Sequence, residues 1–228
     1  MRVRTQSLFS NFENPFFVVV LLLAGLFVAG PFLSGMDRWW ADMISATVAG
    51  FALALGIVAA KPGPFATRLG LVLALIVIVA AAFGGEGGTL SLISRIGFSG
   101  VSMIALVTIL GFVLRARSVR GEEIFAAIAA YMLLGFFFSY LYIALHGSGL
   151  DAPAFTGLAE LNGTVESKMI YFSFVTLTTL GYGDVSPVND YARSLATFEA
   201  MTGQLFIAVL LARLVALQTM NSSKPEAS

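Results

Sequence analysis

The sequence predicts an all-α integral membrane protein: six transmembrane helices plus one shorter re-entrant helix. Three observations lead there. Hydrophobic residues make up 58% of the 228-residue chain and charged residues 11%, about half the charged share of an ordinary soluble domain, and the mean hydropathy is +0.90. The charges are nearly excluded from six apolar runs, each close to the roughly 20 residues that cross a hydrocarbon core. A seventh apolar stretch, between the fifth and sixth runs, is too short to cross and is followed by a glycine-containing segment.

The first run, Pro15 to Leu33, opens on a proline where the first helical turn tolerates one. It is too long for a signal-peptide core and has no clear small-residue cleavage site, so it reads as a retained span. The second, Met43 to Ala60, is closed by Lys61-Pro62-Gly63-Pro64. Trp39 and Trp40 precede it at the depth of an interfacial aromatic belt. The third and shortest, Leu69 to Phe83, extends upstream through Phe65 with Arg68 at the interface, and the turn Gly84-Gly85-Glu86-Gly87-Gly88 ends it. The fourth runs from Leu90 to Leu114 with Arg95 near its start, and the fifth from Ile124 to Leu145. The sixth, Ser194 to Met220, is interrupted only by Glu199 and Arg213.

Lysine and arginine in short loops set the orientation. With the N-terminus inside, the cytoplasmic side holds Arg2, Arg4, Lys61, Arg68, Arg115, Arg117, Arg120 and Lys224, eight of the 13 basic residues. The outer loops keep Arg38, Lys168 and Arg193 beside Asp37, Asp42, Glu86, Asp151, Glu160, Glu166, Asp184 and Asp190. The expected organisation is a cytoplasmic N-terminus (1–14), a four-helix peripheral domain (15–114), a cytoplasmic linker (115–123), a second domain (124–220) and a cytoplasmic tail (221–228). Such a chain belongs in a cell membrane, of bacterial inner-membrane type, as a multi-pass protein with both termini cytoplasmic.

Within the segment between the last two spans, Lys168 to Leu177 is apolar enough for a helix of about three turns entering from outside. Residues 176 to 184 then read Thr-Leu-Thr-Thr-Leu-Gly-Tyr-Gly-Asp. Two glycines flanking one tyrosine can take backbone angles that turn successive carbonyl oxygens to one side. Non-helical backbone at membrane depth is tolerated only when buried in protein or lining a watery cavity. The entering helix also aims its partly negative C-terminal end at that cavity, which favours a cation there.

This run resembles the filter of the potassium-channel pore-loop superfamily, Thr-Val-Gly-Tyr-Gly, with Leu180 in the valine position. The resemblance implies a tetrameric ion-channel fold in which 124–220 is the pore domain. It implies K+ sites formed by the carbonyls of Thr179, Leu180, Gly181 and Tyr182 with the Thr179 hydroxyl, and Gly183 completing the selectivity filter. Asp184 would form an outer-mouth ring that concentrates cations, with Tyr171, Phe172 and Thr178 supporting the filter. Many relatives carry an acidic residue four positions before the filter threonine; Val175 stands there, so Asp184 lacks that partner. Gly203, twenty residues beyond Gly183, falls where the superfamily often has a hinge glycine; close packing of a small residue in the membrane explains it as well. If Gly203 faces the cavity, helical spacing brings Ile207, Leu211 and Val215 to the same face as an inner gate closing by dewetting. Glu199 and Arg213 are expected to be tied to neighbouring helices or to the cytoplasmic interface.

A voltage sensor needs several arginines at every third position of its fourth span, each contributing about 2.3 kcal/mol per 100 mV. Here Arg95 stands alone before Arg115, so the plan is six-span and voltage-gated-like without a charged sensor helix, and voltage sensing should be weak or absent. Arg115, Arg117 and Arg120, beside Glu122 and Glu123, read as positive-inside anchors. The eight residues after Met220 are too few for a nucleotide- or calcium-binding domain, so no soluble ligand-binding domain is expected. Zero cysteines exclude disulfides and thiolate metal sites. With no triad, nucleotide loop or metal cluster, the sequence points to no enzyme, no nucleic-acid partner and no cofactor beyond permeant K+. His146, the sole histidine, reads as a helix end, and Asn162-Gly163-Thr164 matches a glycosylation sequon.

The expected function is passive, potassium-selective conduction by a homotetramer in the lipid bilayer, because one chain offers one filter strand. Two alternatives stay open: a poorly selective cation channel, and a non-conducting or transport-coupled membrane subunit. Single-chain potassium transporters carry four pore loops and this chain carries one.

Overall fold

A computed structural model describes residues 14–33, 38–83, 89–116, 118, 120–147 and 153–222. The cytoplasmic N-terminus before residue 14, the glycine turn at 84–88 and the tail beyond 222 lie outside the described residues. Among the described residues seven helices follow in order: α1 (Pro15–Leu33), α2 (Arg38–Ala60), α3 (Pro64–Phe83), α4 (Thr89–Arg115), α5 (Gly121–His146), α6 (Val165–Leu177) and α7 (Asp190–Ser222). Each predicted apolar run lies inside one of these helices, and the ends differ because polar residues begin helices that hydropathy alone starts later. The Asn14 side-chain oxygen accepts the Phe16 amide at 3.0 Å, placing Pro15 in the first turn. Asn189 does the same for the Ala192 amide at 2.8 Å, so α7 begins four residues before Ser194. Thr164, the last residue of the sequon match, caps α6 by accepting the Ser167 amide at 3.2 Å.

Four helical stretches among the described residues are long and apolar enough to cross a membrane: Met43–Ala60, Arg95–Arg115, Gly121–His146 and Asp190–Leu217. Pro15–Ala29 and Pro64–Ile76 are apolar but shorter. Two short strands, β1 (Phe155–Thr156) and β2 (Ser186–Pro187), pair antiparallel with Phe155 opposite Pro187. The all-helical expectation did not include this ribbon. It joins the segment before α6 to the segment after residues 176–184, and the Val188 amide extends it by donating to the Ala154 carbonyl at 2.9 Å.

α5 is the hub. It packs against α1, α4, α6 and α7, and alanines at 126, 127, 129 and 130 are buried along it, letting neighbouring helices approach closely. α7 is the opposite case. Among the described residues of Asp190–Leu217 only Ala192, Ala196, Glu199 and Gly203 are buried within the chain, against twelve residues of α5, so most of the surface of this roughly 50 Å helix faces away from its own chain. Trp40, at the start of α2, is exposed, as a belt residue should be; the Trp39 side chain lies outside the described residues.

Arg95, which sequence left without a role, and Arg213, expected to be tied to a neighbouring helix or the interface, both tie elements together. Arg95 of α4 pairs with Glu166 in the first turn of α6 at 3.0 Å, fixing the peripheral helices to the re-entrant helix. Arg213 of α7 donates to the Ala116 carbonyl, just past α4, at 2.7 Å. The other Glu166 carboxylate oxygen is buried without a hydrogen-bond partner, so it depends on the Arg95 charge. Arg95→Gln should therefore destabilise the protein by about 1–3 kcal/mol, read as a lower melting temperature. The double exchange Arg95→Glu with Glu166→Arg should recover part of it; no recovery would show that the pair contributes nothing by its charge.

Candidate functional site

The site begins where α6 ends. α6 stops at Leu177, and Thr178, in αR conformation, caps it with its hydroxyl donating to the Phe174 carbonyl at 2.7 Å. The chain then turns back on the helix it has just left. The Thr179 amide donates to the Thr176 carbonyl at 2.9 Å, and the amides of Leu180 and Gly181 both donate to the Val175 carbonyl, at 2.9 and 3.3 Å. Val175 lacks the acidic side chain common at this position in relatives, and here its backbone oxygen anchors the run.

Backbone hand alternates through this segment. Thr179, Gly181 and Gly183 have φ of +58°, +59° and +79°, while Leu180 and Tyr182 between them keep negative φ. In a uniform strand, successive peptide planes flip and carbonyls point to alternate sides; alternating hand undoes the flip and brings successive carbonyls to one side. A non-glycine residue at positive φ is itself rare and costs about 1–3 kcal/mol, so Thr179 marks a conformation imposed by its surroundings. With three amides turned back to α6, the carbonyls of Thr179, Leu180, Gly181 and Tyr182 accept no hydrogen bond among the described residues. Four adjacent acceptors without protein donors suit a cation whose water they could replace.

Both ends of the run are held from outside it. At its first end the Tyr131 hydroxyl of α5 donates to the Leu177 carbonyl at 3.2 Å, and the Gln204 amide of α7 reaches the Thr179 hydroxyl at 3.5 Å. At its far end Tyr171 donates its hydroxyl to Asp184 at 2.6 Å, and the second Asp184 oxygen accepts the Val185 amide at 3.0 Å. Asp184 thus has a partner on α6, one turn before Val175, where sequence left it without one. Gly157, just after β1, lies so close to the Asp184 carbonyl that a Cβ there would overlap it.

The remaining predicted residues fall as follows. Phe172 is buried and makes its ring contacts with Tyr142 and Phe155, centroids 5.0 and 5.2 Å away, so it fixes α6 to α5 and the outer ribbon. Tyr182 is 67% exposed on the single chain and Leu180 54%. Gly203 faces α6: a Cβ there would sit 2.5 Å from the Leu177 carbonyl oxygen. Of the two readings of this glycine, the contact supports close packing, since α7 runs unbroken through Gly203 and needs a residue without a side chain to pass the end of α6. Ile207, Leu211 and Val215 lie beyond this contact and are exposed. Tyr131, Gly157 and Gln204 were not singled out from sequence. Only the proximity of Gln204 to Gly203 marked it, and the other two act through partners far along the chain.

Residues 126–219 match the protein-family model described as "Ion channel". Protein LctB of Bacillus caldotenax is 32% identical over 84 residues, 37% of this chain, and Protein LctB of Geobacillus stearothermophilus 34% identical over the same length. In each case the match covers 62% of the relative's own length. The matched family region runs from α5 through the re-entrant helix, the carbonyl run and most of α7. Residues 126–219 belong to the ion-channel pore-loop superfamily.

Proposed function

We propose that this protein conducts potassium ions passively and selectively as a homotetramer, with the carbonyls of residues 179 to 182 as its ion sites. The observation that carries the reading is the alternating hand from Thr179 to Gly183, which leaves four successive carbonyls without a protein donor. One strand offers a cation only one side of a coordination shell; four strands around an axis complete it. Assembly is supported by the sparse burial of α7 and the exposure of Leu180, Tyr182, Phe198, Met201 and Leu205, an apolar surface in the part of the chain that four copies would bring together. The six-span arrangement belongs to the same reading, with α1 and α3 completing the peripheral bundle and both termini on the side of the arginine-rich linker. Asp184 supplies negative charge at the outer mouth, and Ile207, Leu211 and Val215, exposed on the single chain, are the candidates for an apolar inner constriction among four copies.

The test is the purified protein in a planar bilayer with potassium on one side and sodium on the other. The reversal potential should lie far from zero on the potassium-selective side. A value near zero would mean an unselective pore, and no unitary current at any voltage would favour a non-conducting subunit. Arg95, the one charge of α4 before its last residue Arg115, is held by Glu166 and cannot move through the field as a sensor arginine does. A voltage ramp in the same preparation should therefore give a shallow opening curve, and a steep one worth several charges would refute this.

A further inference from the structure

Behind the carbonyl run, where α5, α6 and α7 meet, lies a carboxyl group that ion conduction does not itself use. Glu199 of α7 has 0% exposure. One of its oxygens is 2.6 Å from the Tyr142 hydroxyl of α5, and the other 2.5 Å from the Ser173 hydroxyl of α6. The Ser173 oxygen is also 2.7 Å from the Gly135 carbonyl of α5. No Lys, Arg or His pairs with Glu199 among the described residues: Lys168 is engaged by the Leu158 carbonyl, Arg193 by that of Pro187 and Arg213 by that of Ala116. A buried carboxylate without a cation is costly.

Counting hydrogens shows what the cluster requires. Its three oxygen–oxygen contacts each need one hydrogen, and the two hydroxyls supply two. The Gly135 carbonyl can only accept, so Ser173 donates to it, and Tyr142 donates to one Glu199 oxygen. The third hydrogen must come from the carboxyl group, donated to Ser173. The cluster closes only with Glu199 as a neutral acid that both accepts and donates.

We propose that Glu199 is a positioning residue for the filter, a neutral carboxyl group that sets the seat of the re-entrant helix by bridging Ser173 and Tyr142. This rests on the conduction reading above. The lever is short. Ser173 lies two residues before Val175, whose carbonyl holds the Leu180 and Gly181 amides. One helical turn beyond Glu199, Gly203 touches Leu177, where α6 ends. Tyr142 continues the linkage outward through Phe155 to the ribbon that closes the far side of the run. A shift at Ser173 therefore moves the carbonyl that orients the filter backbone, without any contact between Glu199 and the ion.

The test compares single-channel recordings of the full-length protein and its variants in potassium. Glutamine can accept from Tyr142 through its carbonyl and donate to Ser173 through its amide, so Glu199→Gln should keep open probability and potassium-to-sodium selectivity within twofold. Glu199→Ala should lower open probability at least tenfold in channels that still assemble. Tyr142→Phe keeps the ring and removes one hydroxyl, and should lower it at least threefold. If the alanine variant does not assemble, the glutamine and phenylalanine variants decide. Glutamine failing like alanine would overturn the proposal, since a required charge and not a neutral bridge would then be indicated. Wild-type behaviour in the alanine or phenylalanine variant would overturn it too. Wild-type protein that carries no current would instead count against the conduction reading itself.

Discussion

Gly181→Ala is expected to lower potassium current at least a hundredfold while leaving the helices folded. Space is not the reason, because a Cβ at Gly181 meets nothing within 4 Å in the chain. Backbone hand is. Gly181 sits at φ +59°, where an L-residue with a side chain costs about 1–2 kcal/mol, and each of four subunits would bear that cost at one ring. The alanine chain has two ways out. It can keep the angle and weaken the filter, or return to negative φ and rotate a peptide plane so that one carbonyl leaves the ion's side. Either removes a coordination ring, and roughly 2.7 kcal/mol at the barrier is a hundredfold in rate. Gly100→Ala is the control: it lies in α4, also with nothing within 4 Å of an added Cβ, at ordinary helical φ. That variant should conduct like wild type. Normal current from Gly181→Ala would mean that the alternating hand is not what makes the site.

What could be read from sequence was what local chemistry decides. The apolar runs, the short helix α6 and the nine residues at 176 to 184 announce themselves because helix formation in apolar runs and local backbone hand are written in contiguous residues. Which face of each helix meets which neighbour was not legible. In a soluble protein polar residues mark the outer face, but in lipid the outer and inner faces are equally apolar. α5 and α7 thus look alike in sequence while one is buried on many faces and the other along one narrow stripe. The ties that hold the site are long-range: Tyr131 to Leu177, Tyr142 to Glu199 and Arg95 to Glu166 are 46, 57 and 71 residues apart. Arg95 read as an isolated charge because its partner begins a different helix. Glu199 read as a residue tied to a neighbour, which was right in kind, but its partners Ser173 and Tyr142 could be found only once three helices were placed. The outer ribbon was missed because two-residue strands carry no periodicity to detect.

Gly203→Ala should lower the melting temperature of the assembled protein and reduce its current, both from one collision. An added methyl would lie 2.5 Å from the Leu177 carbonyl oxygen and 2.8 Å from a Leu177 side-chain methyl. The side chain can rotate aside; the carbonyl cannot, because it closes α6 and accepts the Tyr131 hydroxyl. So α7 must move outward or α6 must shift, and overpacking of this kind costs about 1–3 kcal/mol in every subunit. Leu177 is itself fully buried, so Leu177→Ala alone should destabilise by opening a cavity; in that background Gly203→Ala should cost less than in wild type, since the side-chain methyl is cleared while the backbone oxygen stays in place. This separates two roles for the glycine. Were Gly203 needed only as a flexible joint, alanine would alter opening and closing while melting stayed put, and shortening Leu177 would not change its effect. Close passage of α7 past the end of α6 requires the melting temperature and the current to fall together, and the loss from Gly203→Ala to shrink in the Leu177→Ala background.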